Sequence, residues 1–508
     1  MSRRACVIGA GPNGLSAAIT LAQAGLKVDV FEAEPQPGGA ARTLDLTLPG
    51  YHHDFGSAVH PLAVGSPFFN SLSLQNHGLE WIHSPAALAH PFDDGTAITL
   101  SRDLTQAESE LGQDAKPWRN LMRPFADHWT DLANEVLRPI SLFPSHPFLM
   151  TNFGRQALRS AKSLAHSLFQ NDRTKALFAG IAAHSVLSLD EPSRAAAGVL
   201  LGAALHAVGW PIPRGGAQSI TSALCSYLSH CHPERSEGPT HFVRPTNALQ
   251  ASDDAPGGYA ANFPDTSLGS TLTTSTRIEN LAALPNYDVT LCDVTPRQLL
   301  TLAGDRLSSK YKNQLAKFQY GPAVFKVDYA LRDPIPWKAR ECLQAATVHL
   351  GGTFEEIAAS EKAMRTGHHA ERPFVLLAQP SLFDPTRAPA DRHTAWAYCH
   401  VPNASTFDML PRLEAQIERF APGFRDCILA RHILSPAGLE KMDANLIGGD
   451  ISGGAMNLRQ LLFRPTRRQY ATSAPDIYLC SSSTPPGGGV HGMCGHQAAK
   501  LAINRLNA

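Results

Sequence analysis

Apolar positions change their spacing in a fixed order over the first thirty-odd residues. Ala5-Cys6-Val7-Ile8 is an unbroken apolar run of strand type, Leu15, Ala18, Ile19 and Ala22 recur along one helical face, and Lys27–Phe31 reads as a second strand. Gly9-Ala10-Gly11-Pro12-Asn13-Gly14 joins the first strand to the helix, and Gly25 closes the helix. The far end of the chain repeats part of this order. Asp476–Cys480 predicts a strand, a Pro/Gly-rich turn follows, and Ala498, Leu501 and Ala502 mark one face of a helix beginning at Met493. Between the ends, residues 66–210 read as mostly helical with breaks at prolines. The most apolar stretch, Ala195–Trp210, is shorter than the ~20 residues a bilayer crossing needs and is interrupted by His206, so it predicts a buried helix. Strands are expected at Val289–Cys292 and within Gly321–Trp337 and Pro373–Pro385, and a helix with its stop at Arg412–Phe424.

The first loop has the chemistry of a dinucleotide site. Gly9 permits a tight turn, Gly11 lets backbone approach a pyrophosphate, and Gly14 lets helix and strand pack closely. The helix start then offers unpaired N–H groups and a partial positive charge to phosphate. Glu32 ends the second strand 18 residues beyond Gly14, where a carboxylate accepts hydrogen bonds from ribose hydroxyls and repels a 2′-phosphate, which disfavours NADP. Gly487-x-Gly489-x-x-Gly492 is formally a second such loop, but no further strand and acid follow it before Ala508. One cofactor shared by both ends is therefore expected. Its holding residues lie at the two extremes, so the intervening chain must leave the nucleotide-binding domain and return.

After Glu32 and Ala33 come "EPQPGGAART" and "GYHHDFGSAVHP". On these residues the chain resembles the phytoene desaturase-like FAD-dependent oxidoreductases, within the flavin amine oxidase superfamily. The resemblance implies that Gly38, Gly39 and Ala40 run beside the ribityl chain and pyrophosphate, that Arg42 brings charge near the phosphates or flavin, and that Gly56, Ser57, Ala58 and Val59 pass the isoalloxazine ring. It implies a re-entry segment at "WPIPRGGAQSITSALCSYL", a strand pair in Gly269–Leu281 with an adenine contact at Ile278, and a closing segment in which Gly488, Gly489, Val490, His491, Gly492 and Met493 face the flavin. Backbone N–H groups around Val490–Met493 would then stabilise charge at the pyrimidine edge. No catalytic side chain is legible; His60 and His491 are the candidates, each with a purely structural alternative, and His52 and His53 read equally well as part of a polar loop.

The expected fold is α/β, with a Rossmann-like FAD-binding domain (residues 1–65, 211–298 and 470–508) and a discontinuous mixed α+β substrate domain (66–210 and 299–469). Residues 231–268, rich in Pro, Ser, Asp and Gly, are expected to form a surface insertion. His432–Gly454 fits a cap over the substrate pocket or an exposed loop.

Composition removes competing classes. Lys plus Arg and Asp plus Glu are both 44, so no net charge draws the chain to nucleic acid. The nine cysteines contain no Cys-x-x-Cys, against a dithiol redox centre or zinc ribbon, and no metal is expected. Two arginines lead straight into the first strand, which leaves no removable signal, and the expected location is the cytoplasm, with peripheral membrane contact as an alternative. The resemblance implies FAD-dependent desaturation or isomerisation of a hydrophobic, polyene-like or long-chain substrate, with an electron acceptor that the sequence does not name. The alternatives are an amine oxidase, against which the terminal segment offers no paired aromatics, and a non-catalytic FAD-stabilised scaffold or regulatory partner.

Overall fold

The computed structural model describes residues 3–231 and 269–508. The expected insertion therefore lies, apart from Cys231, outside the described residues. Twelve strands build two sheets: β1 Arg4–Ile8, β2 Lys27–Phe31, β3 Leu88–Pro91, β4 Ala97–Leu100, β5 Thr271–Thr273, β6 Val289–Cys292, β7 Ala323–Leu331, β8 Thr347–Leu350, β9 Val375–Ala378, β10 His393–Val401, β11 Ile428–Leu434 and β12 Ile477–Leu479. The helices that matter below are α1 Pro12–Gln23, α2 Ala115–Ala126, α3 Trp129–Val136, α4 Pro147–Ala157, α5 Asp172–Ala183, α6 Ala195–Val208, α7 Gln218–Ser229, α8 Phe354–Arg365, α9 Pro436–Met442 and α10 Met493–Leu506.

The first sheet has the order β12-β6-β1-β2-β5 and is parallel throughout. Its central strands are buried on both faces, which is why Ala5–Ile8 of β1 reads as an unbroken apolar run rather than an alternating one. α1, α7 and α10 cover one face with Leu15, Ile19, Leu224, Ala498 and Ala502. Leu299, Leu302, Tyr311 and Leu315 cover the other. The architecture is α/β, Rossmann-like.

The second sheet, β11-β7-β10-β9-β8-β3-β4, is antiparallel except where β8 meets β3. Along β7, Phe325, Val327 and Tyr329 enter an apolar core with Val348, Leu377, Ala397 and Phe424. Period-2 alternation sends Lys326 and Asp328 to the opposite face, in register with Tyr398 and Trp396 of β10. That face looks toward the nucleotide-binding half of the molecule.

One expectation is refined and one corrected. Residues 66–210 are mostly helical, as expected, but they also hold β3 and β4, which pair with each other and join the second sheet through β8. The strands have four residues each, with a Pro ending one, so local pattern gives them little signal. Gly269–Leu281 contains one strand, not two. β5 pairs with β2, and the chain then turns along Glu32, with Thr276 N–H donating to the Glu32 carbonyl at 2.8 Å.

Candidate functional site

The loop between β1 and α1 is held by sterics that only glycine meets. A Cβ on Gly14 would lie 2.0 Å from the Gly9 carbonyl oxygen, and Gly9 itself has φ +98°. A Cβ on Gly39 would stand 3.4 Å from the Gly11 Cα, so the Gly38-Gly39 loop lies directly over the start of α1. Pro12 occupies the first turn of α1, where a missing N–H costs nothing. Glu32 is buried at the end of β2 and accepts from Ala10 N–H at 2.6 Å and Glu34 N–H at 2.9 Å. Burial raises its carboxyl above the ordinary range. A carboxylate has about four acceptor positions, so two remain for ribose hydroxyls.

The neighbouring segment completes a groove. A Cβ on Gly56 would lie 2.3 Å from the Ala40 carbonyl oxygen, which puts Gly56–Val59 against the Gly-Gly loop. Ala33, Gly39, Ala40, Gly56, Ser57 and Val59 stay partly exposed between buried neighbours. Arg42 does not stand free: its Nε donates to the Gly39 carbonyl at 2.8 Å, a second nitrogen donates to the Met442 carbonyl at 2.7 Å, and the guanidinium lies over the Phe55 ring. The re-entry turn is fastened to the same place. Asp54 accepts from Ala217 N–H at 2.7 Å and pairs with the buried Arg387 at 2.8 Å, while Thr43 Oγ1 accepts from Gln218 N–H at 3.1 Å. Ile278 packs with Leu281 beside β1 and stays partly exposed.

The closing segment reaches the opening one directly. A Cβ on Gly495 would be 1.8 Å from the Asn13 carbonyl oxygen, one on Gly492 would be 2.2 Å from Ser16 Oγ, and Asn13 Nδ2 donates to Ser482 Oγ at 3.3 Å. Asn13 Oδ1 is buried without a hydrogen-bond partner. Gly488, Gly489 and Val490 are partly or fully exposed beside the buried His491. His491 Nδ1 accepts from Met493 N–H at 3.1 Å, and its carbonyl accepts from Ser66 Oγ at 2.7 Å. Burial lowers the His491 and His60 imidazoles to about 4, so both are neutral at pH 7. His491 is thereby a loop-fixing residue with its Nδ1 occupied. His60 is buried beside Trp81, and its ring faces the Ser57 backbone without a well-formed hydrogen bond at either nitrogen. Cys480 and Cys494 are buried, and desolvation raises both thiols, Cys494 to about 11, which leaves them unreactive near neutral pH.

Six side chains near the groove carry no local sequence signal. Trp396 and Tyr398 stack with ring centroids 5.3 Å apart, and Ala58 and Val59 pack against them. Lys326 Nζ donates to both Asp328 oxygens at 2.5 and 2.6 Å and sits 5.7 Å from the Trp396 ring centroid. Burial would raise Asp328, but Lys326, His432 and His53 hold it below the ordinary range. On the other side, Asp293 at the end of β6 accepts from Gly14 N–H at 2.8 Å. Burial, reinforced by Asp443 and Glu32 and opposed by the Gly14 bond, pushes its carboxyl up to about 7. Asp443 follows α9, and its Oδ2 would be 3.6 Å from a Cβ on Gly39. The His432–Gly454 stretch thus contributes a helix and an acid to the groove.

Comparisons with known proteins agree with this geometry. Residues 7–71 match the NAD(P)-binding Rossmann-like domain family. The chain is 26% identical over 568 aligned positions to pyridine nucleotide-disulfide oxidoreductase domain-containing protein 2 of Mus musculus, covering 99% of this chain and 93% of that protein. It is 33% identical over 114 positions to all-trans-zeta-carotene desaturase of Myxococcus xanthus, 22% of each chain. A putrescine oxidase variant superposes with TM-score 0.59 at 15% identity, over 100% of this chain and 99% of that one. Together they support an oxidoreductase of the FAD/NAD(P)-binding superfamily. FAD is consistent with this fold and with the groove.

Proposed function

We propose that this chain binds FAD noncovalently and uses it to dehydrogenate or isomerise a hydrophobic, polyene-like or long-chain substrate. The observation that carries the cofactor assignment is the meeting of the two ends: Gly11 and Gly14 lie under the Gly-Gly loop, and Gly492 and Gly495 rest on Asn13 and Ser16 of the same helix. A second complete nucleotide site would need its own strand and acid. Here β12 instead joins the sheet of the first motif through β6. The unsatisfied Asn13 Oδ1 and the glycines whose Cβ would fill the groove fit a bound diphosphate and ring. The partial match to a carotene desaturase supports the substrate class.

Bound FAD would supply the two-electron chemistry. The chain's own part is positional. α1 offers N–H groups to the diphosphate, Glu32 the ribose contact, the Gly56–Val59 segment a ring wall, and Trp396 with Tyr398 an aromatic wall that keeps water out. His60, neutral and held only weakly by the Ser57 backbone, is the side chain able to take or give a proton there. The stacked Trp396–Tyr398 pair supports a second reading, an amine oxidase, since paired aromatic rings suit a neutral amine.

The test has two parts. Purified protein should be yellow, and Gly11→Val should lose its flavin because the new side chain fills the phosphate approach beside Asp293 and Gly39. Photoreduction followed by exposure to oxygen, quinone or NAD(P)⁺ then separates a working redox site from a scaffold with inert flavin. A colourless protein that refuses added FAD would end the proposal. A retained flavin that no acceptor reoxidises would favour the scaffold.

A further inference from the structure

The surface farthest from expectation is the stretch from α3 to the end of α4. Single exposed apolar residues are ordinary on a globular protein, whereas a cluster of them marks an interaction site. Leu142, Phe143 and Phe148 are each 90% exposed, and Ile140 and Leu158, at 56% and 66%, lie in the same stretch. α4 is seated from its other side. Leu149, Met150 and Phe153 pack on the helical core, and the Phe153 ring meets Phe125 of α2 edge-on at 5.6 Å. The exposed side chains are thus carried on an anchored helix and the turn before it.

Charge selects the occupant. From residue 136 to residue 171 there is no Asp or Glu, while Arg138, Arg155, Arg159 and Lys162 fall inside that run, in a chain whose formal net charge is zero. Arg138 is paired with Glu135 and Lys162 with Asp190, and the carboxylates of α3 that border the face, Asp131 and Glu135, each lie 3.4 Å from the His146 ring. Arg159 bonds only serine oxygens among the described residues, and no carboxylate there pairs with it or with Arg155. Apolar tips flanked by two arginines, Arg155 and Arg159, that have no carboxylate partner among the described residues match a bilayer interface, where aromatic and aliphatic side chains enter the acyl boundary and cations meet anionic headgroups. A second copy of the chain fits less well, because a two-fold interface would set these cations against themselves. No helix among the described residues is long and apolar enough to cross a membrane, so the contact is a surface one.

We propose that the face from Ile140 to Leu158 docks on anionic lipid bilayers. α4 packs on α6, and α6 packs on the short helix Pro61–Val64 that follows His60. One helix layer therefore separates the lipid-facing surface from the groove. That would bring a lipid-dissolved substrate close to the flavin, a corollary that rests on the proposed function, whereas the docking itself does not.

The test is sedimentation of the full-length protein with vesicles of phosphatidylcholine alone and of phosphatidylcholine with phosphatidylglycerol. Binding should be at least about tenfold stronger to the anionic vesicles and should weaken with added salt. Phe143→Ser/Phe148→Ser should lose about tenfold or more of that binding while keeping its melting temperature and flavin content, because both side chains are exposed. Phe143→Trp gives an independent reading, a blue shift of its fluorescence on the anionic vesicles only. Absence of sedimentation with either vesicle and an unshifted Trp spectrum would overturn the proposal. So would a wild-type dimer that the double serine variant turns into a monomer, which would make the face an interface between copies.

Discussion

Asp293 is the residue with the sharpest chemical consequence. Its carboxyl bonds the Gly14 N–H, one of the groups at the start of α1, and burial raises it to about 7. Between the ordinary carboxylate range and that value the folded chain keeps a proton that the unfolded chain has released. The cofactor-free protein therefore loses stability as pH rises through this window and levels off above it. An ionised Asp293 beside Glu32 and Asp443 would also oppose an incoming diphosphate. FAD affinity, followed by flavin fluorescence quenching, is expected to fall as pH passes 7 in the wild type. Asp293→Asn keeps an acceptor for Gly14 and should give a flat profile, with about tenfold tighter binding than wild type on the alkaline side. A wild-type affinity independent of pH would contradict this. Asp293 had no signal in the sequence because 279 positions separate it from Gly14, and the pairing of β6 with β1 alone brings them together.

At the scale of elements, the crossing of α1 and α10 is the joint on which the groove depends. Gly495 lets the two helices touch at Asn13, with no room for a side chain. Gly495→Val should cost about 3 kcal/mol or more in chemical denaturation, since the overlap is with backbone and cannot be relieved by a rotamer change. It should also lower flavin content. Normal stability and normal flavin would mean the helices do not meet there. Elements of this kind were legible where their pattern is local: the β1-loop-α1-β2 unit carries its glycines, its periodicity and its acid within 32 residues. β3 and β4 were not, because short strands that gain their place from β8, 259 residues on at the paired positions Ala89 and Val348, look like irregular chain before the fold exists. The Trp396–Tyr398 wall was hidden for a related reason. Alternation within β10 shows that these two side chains share a face, but not that the face meets Ala58 and Val59.

For the whole molecule, the cofactor would touch chain from both ends and from the middle, where Asp443 reaches the Gly-Gly loop and Asp384 accepts from the Gly215 N–H of the re-entry turn at 2.7 Å. Those contacts tie the two sheets together through the groove. Added FAD should accordingly raise the melting temperature of the apoprotein as one transition, by the linkage that gives about 2.7 kcal/mol at a hundredfold excess over Kd. Calorimetry showing one of two transitions rising alone would instead make the halves independent.

The side chain of Arg3 donates to Asn507 Oδ1 at 2.6 Å, so the first and last described turns of the chain lie side by side. During synthesis on the ribosome the βαβ unit emerges hundreds of residues before α10, the helix that must lie on it. The exposed flank of α1 has to wait for its cover until α10 has been made, and loading of the cofactor becomes a step that cannot precede that helix.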